Sequence, residues 1–153
     1  MISQTAEYAL RAVVWLASHP QRALGTARIA DATRVPAGYL SKVLQSLARA
    51  GIVVSHPGRR GGFLLSRPPE QMSVLDVINA VDPVQRIRTC PLSLTTHGAT
   101  LCPLHRRLDD AMARAEEAFA TSTIAEIIGQ PAESTPLCES PGVSLTMRQG
   151  KEE

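Results

Sequence analysis

The chain has 153 residues, with sixteen lysines and arginines against fourteen aspartates and glutamates, and a formal net charge of +2. That length suits one domain with short appendages, and only 3% of the residues are aromatic, so helices packed through aliphatic side chains are expected. Three cysteines are too few for a disulfide-stapled secreted protein, Glu7 and Arg11 interrupt the first apolar run too early for a signal peptide, and no run approaches the roughly eighteen apolar residues of a membrane span; a cytoplasmic protein is the expectation.

Residues 1–18 are expected to form the first helix, capped by Ser3 or Thr5, with Leu10, Val13, Val14 and Ala17 on its buried face. His19-Pro20 stops it. Thr26 is placed as the cap of a short helix over residues 27–33, and Arg34-Val35 as a turn. Pro36 then opens a second helix, because its fixed φ and missing N–H cost nothing in a first turn. Leu40, Val43, Leu44 and Leu47 recur at the spacing of one buried helical face. Tyr39, Ser41, Lys42, Gln45 and Arg49 lie opposite. Gly51 ends the helix, since glycine enters the left-handed conformation without strain.

A β-branched run, Ile52-Val53-Val54, is separated from Phe63-Leu64-Leu65 by His56-Pro57-Gly58-Arg59-Arg60-Gly61-Gly62. Strand, glycine-rich turn and strand make a hairpin. Helix, tight turn, helix and hairpin together outline a winged helix-turn-helix. Between residues 26 and 67 there are seven basic side chains (Arg28, Arg34, Lys42, Arg49, Arg59, Arg60, Arg67) and one acid, Asp31, so this stretch is +6 while the remainder is net acidic. Such a concentration suits a phosphate backbone, where neutralising each phosphate releases counterions. Double-stranded DNA is the expected partner. Tyr39, Ser41, Lys42 and Gln45 are the candidates for base edges, and Arg28, Arg34, Arg59 and Arg60 for phosphates or the minor groove.

Arg67-Pro68-Pro69 ends the hairpin. Ser73-Val74-Leu75-Asp76 has the pattern of a capping box, and Val74, Val77, Ile78 and Val81 supply the apolar stripe of a helix closed by Asp82-Pro83. Residues 84–101 follow neither helical nor strand period, and so long a loop in a small domain is usually functional or disordered. Pro103 opens a long helix with a stripe of Leu104, Leu108, Ala111, Met112, Ala115 and Phe119, while Asp109, Asp110, Glu116 and Glu117 fall mainly on its other side. So narrow a seam needs a partner, most economically a second copy of itself; packing back on its own domain is the alternative. Thr123-Ile124-Ala125-Glu126 is a second capping box before a short helix ended by Gly129 and Pro131. From residue 130 the composition turns to Pro, Ser, Thr, Gly and Glu, and the tail, with Cys138, is expected to be disordered. The organisation is therefore a DNA-binding domain over residues 1–82, a sensor loop over 83–103, a dimerisation helix and short terminal helix over 104–129, and the tail.

Cys90-Pro91-Leu92 and Cys102-Pro103-Leu104 are near-copies of one tripeptide, and His105 follows Cys102 with C-x-x-H spacing. Thiolates and imidazoles on an irregular loop can hold a soft or borderline metal, although zinc sites usually show two close ligand pairs. Two half-buried cysteines and two surface histidines fit the same residues equally well.

Tyr39-Leu40-Ser41-Lys42-Val43-Leu44, Ala50-Gly51-Ile52-Val53, Gly61-Gly62-Phe63-Leu64-Leu65 and Val74-Leu75-Asp76-Val77-Ile78 together resemble the signature segments of the Rrf-two family of bacterial transcription regulators, over about residues 1–129. The resemblance implies a mainly α fold with a small β wing, a winged helix-turn-helix plus a long C-terminal dimerisation helix. It also implies a homodimer on a palindromic operator and, in many members, an iron-sulfur cluster before that helix. Those members space three cysteines C-x5-C-x5-C. Cys90 and Cys102 match the outer pair, Thr96 stands at the middle position, His97 adjoins it, His105 matches an extra histidine of some members, and Glu7 matches an acidic position that in others completes the cluster from the second subunit. The implied metal ligands are therefore drawn from Glu7, Cys90, Cys102, His97 and His105, and histidine for cysteine points to a two-iron (2Fe-2S) cluster of raised potential. The wing departs from the family's R-G-x-x-G-G in having Pro57 at its first arginine.

The expected function is a dimeric, sequence-specific DNA-binding regulator, a repressor, that senses redox state, nitric oxide or iron-sulfur status through a cluster. Two alternatives stay open: a cluster-free regulator switched by a Cys90–Cys102 disulfide, and a zinc-stabilised partner-binding module. An enzyme is not expected, for there is no nucleophile elbow, phosphate-binding glycine loop or pair of catalytic acids.

Overall fold

The computed structural model describes residues 2–92, 100–130 and Leu137. Its first helix, α1 (Gln4–Ala17), starts at Ser3, whose hydroxyl accepts from the Ala6 N–H at 3.2 Å, so Ser3 and not Thr5 is the cap. One face of α1 is built from alanines: Ala6, Ala9 and Ala12 are fully buried beside Val13 and Leu16. Side chains this short let neighbouring elements approach the helix axis closely. Accordingly α1 is the hub of the domain, in contact with α2 (Thr26–Thr33), α3 (Ala37–Arg49), α4 (Val74–Val81) and α6 (Ile124–Gly129).

Two expected boundaries move by one residue. Gly25, not Thr26, is the N-cap of α2, and Thr26 is its first helical residue. Pro36 is the N-cap of α3 rather than part of its first turn; its carbonyl accepts from Tyr39 and Leu40 N–H. The turn between α2 and α3 is tight because Arg34 takes the left-handed conformation, φ 55°, with its N–H on Asp31 O and the Val35 N–H on Ala30 O at 3.1 Å. Those two bonds satisfy the last carbonyls of α2 in the Schellman manner, at a position where glycine is the usual occupant. The end of α3 repeats the motif with the expected glycine: Gly51 has φ 72°, its N–H reaches Ala48 O and the Ile52 N–H reaches Leu47 O. The buried stripe of α3 is Leu40, Val43, Leu44 and Leu47, as the spacing required.

The wing consists of β1 (Val53–His56) and β2 (Gly62–Leu65), antiparallel, with Val53 opposite Leu65 and His56 opposite Gly62. Pairing runs two residues further along the first strand than the β-branched run alone indicates, leaving residues 57–61 as the loop. A bridge from the α1–α2 connection secures the wing: Leu24 and Phe63 exchange both backbone hydrogen bonds, at 3.0 and 2.9 Å. Gly62 lies in this contact with φ +147°, and a Cβ there would sit closer than 3 Å to the Leu24 carbonyl.

A single 3-10 turn (Pro69–Gln71) leads into α4. Ser73 and Asp76 form the full reciprocal capping box of α4, and Thr123 and Glu126 that of α6. The two boxes lie together, joined by Val74 N–H to Ser122 O at 2.9 Å and Ile124 N–H to Met72 O at 2.8 Å. Ile124 and Met72 are fully buried, so α6 returns to the core built around α1 after the long helix α5 (Pro103–Thr121). Among the described residues the protein is thus mainly helical with one two-stranded sheet, and no helix is long and apolar enough to cross a membrane.

α5 has no buried residue. Phe119, near its end, packs against the core. Leu104, Leu108 and Met112 remain 63%, 45% and 38% exposed, so the part of the stripe far from the domain faces outward.

Candidate nucleic-acid interface and sensor segment

The outer face of α3 carries Tyr39, Lys42 and Gln45 exposed and Ser41 half-buried. Tyr39 is also tied to α1. Its ring meets Tyr8 edge to face at 5.6 Å, and its hydroxyl shares a hydrogen bond with Thr5 Oγ1. Arg11 lies over the Tyr8 ring at 5.5 Å, pairs with Glu7 and donates to Thr33 O at the end of α2. The start of α3 is therefore held by a cluster on the first two turns of α1 that periodicity alone does not reveal.

Arg28, Arg34, Arg59 and Arg60 are all exposed. The turn that carries the wing arginines is closed by Gly61 N–H to Gly58 O at 2.9 Å, so Arg59 and Arg60 occupy its two central positions. Arg28, Arg59 and Arg60 converge, with Arg22, on one open cleft of about 480 Å³ between the wing and the start of α2. Arg22 lies in the α1–α2 connection, outside the basic stretch, and sequence spacing gives no reason to join it to the wing. Arg67, counted with the cations of that stretch, instead donates to Asp76 Oδ2 and Gln71 O, both at 2.9 Å; its role here is to fasten the end of the hairpin to α4.

Cys102 is the N-cap of α5 with Pro103 at the first helical position. Its Sγ lies 3.3 Å from His105 Nδ1, the contact that C-x-x-H spacing produces on one helical turn. Cys90 and Cys102 are both half-buried, and neither is in a disulfide. His97 and Thr96 lie outside the described residues, as do Cys138 and nearly all of the tail. Glu7 stays on the first turn of α1, engaged by Arg11. Among the described residues no three of His, Cys, Asp and Glu gather as a metal site; of the implied ligands described, Cys102 and His105 are in contact.

The segment leading to Cys90 is firmly held. Arg86 forms a two-pronged pair with Asp109, both contacts at 2.7 Å, and reaches Glu116 at 2.9 Å; the Ile87 N–H also donates to Asp109 Oδ1. The hydrogen bonds from Arg86 are the main cause that lowers the Asp109 pKa to about 2, with help from the Ile87 N–H. Asp109 and Glu116 are seven residues apart, hence on one face of α5, which was the signal available in the sequence.

Comparison with known proteins agrees with this architecture. Residues 2–130 match the family model Rrf2, described as an iron-dependent transcriptional regulator. The chain belongs to the Rrf2 family. A relative from Aquifex aeolicus (strain VF5), named as an HTH-type transcriptional regulator, is 28% identical over 131 residues, covering 84% of this chain and 91% of its own. Among solved structures, T. potens IscR superposes with a TM-score of 0.69 at 22% identity, covering 83% of this chain and 85% of its own. CymR, the global cysteine regulator of B. subtilis, does so with 0.66 at 23% identity, covering 83% and 95%. These structures share the winged-helix fold with this chain. Rrf2 proteins are transcription regulators that bind DNA and are not enzymes.

Proposed function

We propose that this Rrf2 protein is a homodimeric repressor of a palindromic operator whose affinity is set by the segment from Cys90 to His105, through a 2Fe-2S cluster that senses redox state, nitric oxide or iron-sulfur status. The observation that carries the reading is the joining of that segment to α5 at two points. Cys102 and His105 form the first turn of the helix, and Arg86, four residues before Cys90, grips Asp109. A change at the cysteines is therefore delivered to α5, whose outward stripe of Leu104, Leu108 and Met112 suits a second copy of the same helix. Half-sites lie about one turn of DNA apart, so a shift of α5 alters how well two recognition helices match them.

In this reading Cys90, Cys102 and His105 or His97 hold the cluster, and Glu7 of the second subunit completes it after exchanging Arg11. The donor chemistry fits: thiolates and imidazole suit iron-sulfur centres. The family description as iron-dependent supports the same direction. Tyr39, Ser41, Lys42 and Gln45 contact base edges, and Arg28, Arg34, Arg59 and Arg60 contact phosphates or the minor groove.

A second reading keeps the DNA binding and replaces the cluster by a thiol-disulfide switch of Cys90 and Cys102. It is favoured by Thr96 at the middle ligand position. The family assignment leaves a zinc module without a DNA role unsupported. Purification without oxygen, with the visible spectrum, iron and acid-labile sulfide measured on one sample, separates the two. Absorption between about 320 and 600 nm with equal iron and sulfide is the expected result for a cluster. A colourless, iron-free protein whose DNA affinity responds to peroxide and recovers with reductant selects the switch.

A further inference from the structure

The cleft between the wing and α2 is lined by Arg22, Arg28, Arg59 and Arg60 and by no acidic residue. None of these four guanidinium groups has a hydrogen bond or ion pair among the described residues, whereas Arg11, Arg67 and Arg86 are each matched to a carboxylate. Like charges collected in one cleft repel unless an anion lies between them. Their backbones are nonetheless held together. Leu24 is bridged to Phe63, which anchors the connection carrying Arg22 to the strand that follows Arg59 and Arg60. The close approach of Gly62 to Leu24 leaves no room for a side chain in this joint. Gly25, which also lines the cleft, caps α2 without a side-chain bond, so the first-turn amides of α2 are available to the same anion.

We propose that this cleft is a phosphate notch, in which Arg22 and Arg28 hold one backbone phosphate of duplex DNA from the helix side while the wing tip closes over it. Arg22 is then a DNA contact outside the helix-turn-helix, and the notch fixes the depth at which the wing meets the groove. The proposal rests on this face being the DNA interface. It is specific to a phosphate because guanidinium forks and helix amides are both suited to phosphate oxygens and read no base.

The test uses the full chain and a fluorescent mixed-sequence duplex of about 30 base pairs, titrated from about 50 to 200 mM KCl, where phosphate contacts dominate binding. Arg22→Gln should weaken binding roughly five- to tenfold at low salt and reduce the slope of log affinity against log salt by up to about one, while Arg22→Lys keeps most of that slope. Arg22→Gln and Arg28→Gln combined should lose less than the product of their separate losses, because both side chains serve one phosphate. Arg22 is exposed, and an unchanged thermal melt for each variant verifies that the fold is intact. A salt slope unaltered by Arg22→Gln, or strictly multiplicative losses, would overturn the notch. Wild-type protein that binds no duplex at any salt would instead overturn the DNA-facing reading of this surface, a distinguishable outcome.

Discussion

Arg86 meets Asp109 edge to edge, Nε on Oδ1 and Nη2 on Oδ2, each at 2.7 Å. This pair connects a stretch without regular structure to the longest helix among the described residues, and in the proposed reading it carries events near Cys90 to α5. Asp109 is depressed to about 2 from an ordinary 3.8, and its contribution to stability is therefore complete above pH about 4 and lost as pH falls towards 2. Asp109→Asn should accordingly lower the thermal midpoint at neutral pH, and the gap to wild type should close on acidification through that window. A gap that stays constant from pH 7 to pH 2 would show that the pair contributes nothing.

Arg34 holds a left-handed backbone that costs a side-chain-bearing residue about 1 to 2 kcal/mol. Arg34→Gly and Arg34→Ala both give up the side chain's contacts and only glycine relieves that strain, so Arg34→Gly should be the more stable of the two by about 0.5 to 1 kcal/mol. Urea unfolding should show it. In Arg34→Gly, binding to duplex DNA should weaken with a flatter salt slope if Arg34 contacts phosphate as proposed. A variant that folds and is unimpaired in DNA binding removes Arg34 from the interface.

Gly62→Ala should do the reverse. The new methyl group meets the Leu24 carbonyl in a conformation that only glycine adopts easily, at a cost of about 2 kcal/mol or more. Because the strain falls at the Leu24–Phe63 bridge, the wing should detach from the α1–α2 connection. Amide exchange at Leu24 and Phe63 is expected to accelerate well beyond that of the α3 core.

Leu108 stands 45% exposed in the middle of the outward stripe of α5. Leu108→Glu should leave the fold of a single chain intact, as that side chain belongs neither to the buried core nor to the residues packed against it. If α5 is the subunit contact, the variant sediments as a monomer and loses more than about tenfold in affinity for a two-half-site operator. Sedimentation as a wild-type dimer would place the contact elsewhere.

Arg59→Ala and Arg60→Ala combined should weaken binding to all sequences alike and flatten the salt dependence by about two. An equal effect on every base-pair variant of a site marks phosphate or shape readout; a sequence-selective effect would mean that the wing reads bases.

Local rules were enough for the elements themselves. The stripe Leu40, Val43, Leu44, Leu47 fixes which face of α3 is buried, Gly51 fixes where it stops, and the two capping boxes fix the starts of α4 and α6, because each depends only on neighbours within one or two helical turns. The motif order likewise made the family legible. What the sequence left open depends on contacts between distant segments. Arg22 joins the wing arginines only because Leu24 pairs with Phe63; Tyr39 is braced because α1 passes beside α3; Arg86 finds Asp109 across 23 residues; and Ile124 returns to the core because the Ser73 and Thr123 caps lie side by side. Periodicity reports the direction of a side chain relative to its own element, whereas these partnerships follow from how the elements pack, and that is decided by the shape of the buried surfaces around the alanine face of α1.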